Sequence, residues 1–264
     1  MSLITVSNCK EKDEIQLRKL WKDIFKDTDE YIDIFFKYKF SCDNTFVIYE
    51  GEEVVSTIYA EDITFNYKGE KISGVYLCGI LTKEDRRGKG YAKELISYAV
   101  NHFKDKKIIF LIPANQSLFS FYKQSGFRPF TYIDKVTVTE KEDKDIKFKE
   151  IFDKEKVSYY YNNSRDELYV ERSSLMFDAI GECYKFLIFE DGYIAYYIED
   201  NKAVIMEYSY SYEDVYEIAK WMNYKFSLGE TTIYKKYGEE PFSVCITDLD
   251  VEKIDKKYIN IMLN

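Results

Sequence analysis

The chain has 264 residues, 46% hydrophobic and 32% charged, and a net charge of −9. It is long enough for two domains and apolar enough for a real core, which excludes a disordered chain. The acidic balance argues against a nucleic-acid surface; it suits an ordinary soluble bacterial-type surface or a cationic substrate drawn in by the field.

In chain order, Leu17, Leu20, Trp21, Ile24 and Phe25 recur at helical spacing between Asp13 and Phe25. Asp27-Thr28-Asp29 then breaks that pattern and caps a second helix with Tyr31, Ile32, Phe35 and Phe36 inward. Strand-like segments follow at 45–49, 54–60 and 62–67, with Glu50-Gly51-Glu52-Glu53 and Lys68-Gly69-Glu70 as turns, and VYLCGIL (75–81) reads as a buried strand. Ala92, Leu95, Ile96, Ala99, Val100 and Phe103 mark an amphipathic helix. A strand at 108–112, a short helix at 115–125 ending at Gly126 and a strand at 130–139 complete the first half. The charged run at 140–149 (EKEDKDIKFK) is read as a domain boundary, giving domains at 1–140 and 150–264. The second half offers strands at 185–190, 193–198 and 203–208 and a helix at 212–223. FVIYE (46–50) and FLIFE (186–190), each leading into a turn and another strand, suggest two copies of one fold.

Chemistry concentrates where VYLCGIL passes through TKED into RRGKGYA and a helix. A helix start leaves backbone N–H groups unpaired and partly positive, so it receives phosphate wherever the loop backbone can be approached. Gly88 and Gly90 clear that approach, Ala92 keeps the first turn small, and Arg87 and Lys89 supply charge. Neither the Walker pattern nor GxGxxG is present. The five cysteines form no CxxC pair and the sole histidine is His102, so neither a disulfide framework nor a metal site is expected. The opening residues lack a basic start and a long apolar stretch, and no run nears a membrane span, so a cytoplasmic protein without membrane contact is expected.

Arg87-x-x-Gly90-x-Ala92 resembles the R/Q-x-x-G-x-G/A signature of the GNAT superfamily of N-acetyltransferases. Asn115, Tyr122, Gly126 and Phe127 resemble the family's later N-x-x-A-x-x-x-Y-x-x-x-G-F motif, with Leu118 where Ala is frequent. The resemblance covers roughly residues 1–140. It implies tandem GNAT-like domains of α/β (α+β) class, each a mixed, mostly antiparallel sheet flanked by helices. It also implies acetyl-CoA as co-substrate. The pantetheine arm would lie along Ile80, Leu81 and Thr82, the pyrophosphate on the amides of Arg87, Gly88, Lys89, Gly90, Tyr91 and Ala92, and Asn115 and Ser117 near the thioester. Tyr122 would protonate the departing thiolate while the amine attacks directly.

The strand VYLCGIL carries no carboxylate, so the amine's base is open among Glu61, Asp62 and Glu84. Cys78 reads as a structural thiol and His102 as peripheral. The two-domain layout resembles Eis-type acetyltransferases without their sterol-carrier-like domain. In those relatives the terminal carboxylate enters the active site, which makes Asn264 a further candidate base. The second half runs from AVIMEY through Ser209-Tyr210-Ser211 into a helix without the signature, so it is expected not to bind CoA. The expected acceptor is a small-molecule or peptide amine, with no nucleic acid or membrane partner and oligomerisation left open. A silent acyl-CoA-binding sensor or interaction module is the alternative, and a tandem-GNAT aminoacyl transferase is disfavoured by the negative charge.

Overall fold

A computed structural model describes residues 5–163 and 166–260. In chain order the elements are β1 (Val6–Asn8), α1 (Glu14–Phe25), α2 (Asp29–Tyr38), β2 (Thr45–Glu50), β3 (Glu53–Tyr67), β4 (Glu70–Thr82), α3 (Tyr91–His102), β5 (Ile108–Leu111), α4 (Ser117–Lys123) and β6 (Arg128–Val138). They continue with β7 (Lys149–Glu150), α5 (Lys154–Asn162), β8 (Leu168–Glu171), α6 (Ser174–Cys183), β9 (Lys185–Ile188), β10 (Tyr193–Glu199), β11 (Lys202–Tyr208), α7 (Tyr212–Lys225), β12 (Glu230–Lys236) and β13 (Glu240–Thr247). The chain divides into two compact units. The first runs to Phe130 and also takes in Ser243–Lys253, a segment that the sequence-based division assigns to the second domain; the second unit is Thr131–Phe242 with the stretch beginning at Ile254.

In the first unit β1, β2, β3 and β4 pair antiparallel in sequence order, β4 pairs parallel with β5, and Val244–Thr247 of β13 close against β5 in antiparallel register. Alternation along β2 sends Phe46 and Ile48 to one face and Val47 to the other. The first face is covered by Leu95, Ile96 and Ala99 of α3, the second by Leu17, Leu20 and Trp21 of α1 and Ile32, Phe35 and Phe36 of α2. Thr28 caps α2 by accepting from the Tyr31 N–H at 3.3 Å. β5 is buried at all four positions, as a strand enclosed on both faces must be. The segments expected at 54–60 and 62–67 form one 15-residue strand. Glu61 and Asp62 do not break it, because the ladder to β4 runs on through both, and partner hydrogen bonds outweigh their poor strand propensity.

In the second unit β9, β10 and β11 pair antiparallel, α7 follows β11, and β12 returns parallel to β11. This is the same sequence of pairings as β2, β3, β4, α3 and β5, so the FVIYE–FLIFE similarity reflects a repeated topology. β12 also pairs antiparallel with β6, register Thr231 to Val138. Helices α5 and α6, capped by Asp153 and Ser173, pack Val157, Phe177 and Ile180 on Phe186, Ile188 and Tyr193. Both units are mixed, mostly antiparallel sheets flanked by helices. The Arg172–Glu207 ion pair is fully enclosed: Arg172 grips Glu207 through two bonds of 2.7 and 2.6 Å, with Tyr193 donating to the same carboxylate at 2.7 Å.

Candidate functional site

The first unit's candidate site begins where two parallel strands part. The β4–β5 ladder spans Gly74 to Tyr76 against Ile108 to Phe110 and ends there. Past that point β4 bulges: Thr57 faces Leu81 while Tyr59 faces Cys78, so β4 carries an extra residue within the step. Gly79 sits in it with φ of +52°. A Cβ there would come within 2.5 Å of the Tyr59 ring and 3.0 Å of Trp21, so both conformation and space require glycine. Ile80 and Thr82 are half-buried and Leu81 is buried. The Leu81 carbonyl accepts from the Ser56 hydroxyl at 2.7 Å, and the Ser56 and Thr82 hydroxyls share a bond of 2.8 Å.

From Thr82 the chain passes through one 3-10 turn (Glu84–Arg86) to the start of α3. Gly88 (φ +80°) and Gly90 (φ +85°) face open space, since an added Cβ would meet nothing within 4 Å at either. Gly90 is the N-cap and offers no side chain to the helix, so the first-turn amides stay open, as an anion site requires. Arg87 is exposed and loosely placed near Glu84 at 3.9 Å. Ala92 keeps the first turn small, and Lys89 and Tyr91 are both drawn to one carboxylate that the sequence alone marks only as part of a turn.

That carboxylate is Glu50, at the end of β2. It accepts from Lys89 Nζ at 2.8 Å, from the Tyr91 hydroxyl at 2.5 Å and from Arg86 Nε at 2.8 Å. The Lys89 and Tyr91 bonds, with Arg86 behind them, hold the Glu50 carboxyl at about 2. The same contact raises the Lys89 and Arg86 cations. Glu50 thus fixes the loop's positive side chains before any ligand arrives. No local pattern announces this, because the partners lie 36 to 41 residues away.

The later motif folds into α4. Asn115 accepts from the Ser117 amide at 3.1 Å and the Ser117 hydroxyl at 2.6 Å, so the two residues brace the start of the helix and each other. Tyr122, 7% exposed, packs between Phe121 and Phe127, and burial pushes its phenol up to about 12. Gly126 (φ +90°) turns the chain so that the Phe127 amide reaches the Tyr122 carbonyl at 3.2 Å.

Among the candidate bases, Glu84 is exposed and Asp62 is exposed and paired with Lys106. Glu61 differs: its side chain is 17% exposed and lies 3.0 Å from the ammonium of Lys39, itself 4% exposed. Glu61 stands directly across from Tyr76, where the β4–β5 ladder ends, and Lys39 also lies over the Tyr76 ring at 5.7 Å. Burial pushes the Cys78 thiol up to about 12, which denies it thiolate character near neutral pH. His102 is exposed against Phe46 and Tyr98. Asn264 lies outside the described residues. No cluster of His, Cys, Asp and Glu suited to a metal occurs among the described residues, and no described helix is long and apolar enough to cross a membrane.

Comparison with known proteins bears on the same region. Residues 5–130 match the family model described as acetyltransferase (GNAT) domain. Among solved structures, a conserved protein from Enterococcus faecalis superposes with a TM-score of 0.74 at 14% identity, covering 95% of this chain and 74% of that one. A GCN5-related N-acetyltransferase from Kribbella flavida gives 0.68 at 12% identity, covering 92% and 70%. Eis1 from Mycobacterium abscessus gives 0.62 at 8% identity, covering 89% and 66%. No curated protein matches in sequence.

Proposed function

We propose that this chain, which carries a GNAT acetyltransferase domain over residues 5–130, moves an acetyl group from acetyl-CoA to an amine. The observation that carries the reading is the adjacency of two features along β4 and α3. One is the parted β4–β5 edge with its Gly79 bulge; the other is the glycine-lined start of α3, which no side chain caps. A pantetheine arm fits the first as an added strand would, along Ile80, Leu81 and Thr82. A pyrophosphate fits the second, on the amides of Arg87 through Ala92.

In this reading the free amine attacks the thioester carbonyl, a tetrahedral intermediate forms, and the C–S bond breaks as the carbonyl re-forms. Tyr122 donates a hydrogen bond to the departing sulfur. Its elevated phenol makes it a donor first: complete transfer to a thiolate whose acid has a pKa of ~8.5 would cost about 5 kcal/mol. Burial of the thiolate in the same site narrows that gap. Asn115 and Ser117 hold the start of α4 and thereby the setting of Tyr122. Glu61, the enclosed carboxylate on the α1–α2 face of the sheet and ion-paired with Lys39, takes the amine proton. The acceptor is a small-molecule or peptide amine.

The test is Tyr122→Phe, assayed by thiol release from acetyl-CoA over a panel of amines. Turnover should fall at least tenfold with acetyl-CoA affinity nearly unchanged. A large loss of affinity instead would make the tyrosine structural. Intact acetyl-CoA binding without transfer to any amine would replace the enzyme with an acyl-CoA sensor.

A further inference from the structure

The second unit repeats the strand–loop–helix arrangement of the cofactor loop but inverts its chemistry. At the corresponding place, β11 ends and α7 begins with Ser211 as N-cap, accepting from the Asp214 amide at 3.2 Å. Glu213 and Asp214 fill the first turn. A helix start that already carries a side-chain cap and two carboxylates repels phosphate. Yet this place is not filled in. It opens into a cavity of about 840 Å³ whose eighteen lining residues include seven tyrosines, five carboxylates and three lysines.

The cavity wall separates carboxylates paired with a cation from rim carboxylates held only by hydroxyls or open to solvent; Asp214, for one, accepts from the Ser211 hydroxyl at 2.8 Å. Its floor holds Glu207, locked by Arg172 and Tyr193, and Asp166 is engaged by Lys236 at 3.3 Å. Asp191, Glu213 and Asp214 remain at the exposed rim. Asp191 accepts from Tyr210 at 2.7 Å, which turns that ring beside the carboxylate. The tyrosine faces already accommodate ammonium groups: Lys235 lies 5.0 Å from the Tyr212 ring centre and Lys236 5.7 Å from that of Tyr208. Rings that receive a cation beside exposed carboxylates recognise ammonium ligands.

We propose that this cavity binds an extended organic cation, an aliphatic polyamine being the matching chemistry, with its ammonium groups on Asp191 and Glu213 and its chain along Tyr210 and Tyr212. The volume exceeds what one small ammonium ion fills, and the carboxylates come from two separate segments, the β9–β10 turn and the first turn of α7. The proposal does not depend on acetyl transfer.

Isothermal titration of the full chain with spermidine tests it. One saturable site is expected that weakens with salt. Asp191→Asn combined with Glu213→Gln, both at the exposed rim, should weaken it at least fivefold, as should Tyr212→Ala alone, whereas Tyr212→Phe should retain it. Thermal melts of each variant separate misfolding from lost binding. Absence of saturable binding would overturn the proposal. So would affinity that the rim variants leave unchanged, which would place the polyamine elsewhere, for instance in the first unit's acceptor site. A second CoA bound per chain and lost in the Tyr212→Ala variant would show that the cavity prefers anions and would equally overturn it.

Discussion

Replacing Gly79 by alanine separates two reasons for glycine in the β4 bulge. The left-handed conformation costs an L-residue about 1–2 kcal/mol, partly offset by the stiffer unfolded chain. The new methyl group would also lie 2.5 Å from the Tyr59 ring and 3.0 Å from Trp21, both buried, and such overpacking costs about 1–3 kcal/mol. The sum is about 2–4 kcal/mol, lowering the melting temperature by about 5–10 °C. Gly51→Ala is the control. Its φ of +66° carries the same conformational cost, but no atom lies within 4 Å of the added Cβ. Denaturant unfolding of both variants, read by tryptophan fluorescence, gives the steric part as their difference. If the two substitutions cost the same, the close approach of Tyr59 and Trp21 does not dictate the bulge, and its role in holding the β4 edge open falls with it.

Glu50→Gln releases Lys89 and Arg86 from their carboxylate, and under the proposed cofactor site acetyl-CoA affinity at low salt should then rise roughly two- to five-fold, with a steeper salt dependence. A fall in affinity would show instead that the loop needs Glu50 to hold its shape. Because the Glu50 pKa is lowered to about 2, its stabilising contribution is complete above the ordinary value of 4.5 and drains away as pH falls between the two. Arg172→Met leaves the enclosed Glu207 carboxylate without its cationic partner and should cost about 3–5 kcal/mol in denaturant unfolding. Converting both Arg172 and Glu207 to methionine should recover much of that loss, and a double variant no more stable than the single one would refute the attribution.

The first unit was legible where local pattern and tertiary role coincide. The spacing of Leu95, Ile96 and Ala99 marks α3, and Gly88 and Gly90 mark its open start, because helix amphipathicity and loop glycines are written into adjacent residues. Glu50, Lys39 and the Glu61 setting were not legible as a group: each is a charged residue at a turn, helix end or mid-strand, and only folding brings them to their partners. The short α5 and α6 escaped for a different reason. Their sequences, KEKVSYYYN and SLMFDAIGEC, bury only a few apolar residues each, so periodicity is weak and packing on β9 and β10 decides their form. The strand Glu53–Tyr67 shows the converse, a local interruption at Glu61 overruled by its partner strand.

The pairing of β13 with β5 has a consequence for the order in which the protein can be made. Thr247 bonds to the Lys107 carbonyl 140 residues away, while β6, which leaves α4 directly, serves the second unit's sheet beside β12. A ribosome that has released residues 5–130 has therefore delivered every described α-helix of the first unit but not its last strand, and β5 waits with one edge bare until the second unit has been synthesised. Loop closure over that distance is slow to find, and an uncovered IIFL strand is a site for wrong pairing meanwhile. Cutting the gene within the charged stretch at 140–149 would thus yield two fragments that each lack a strand, rather than two domains.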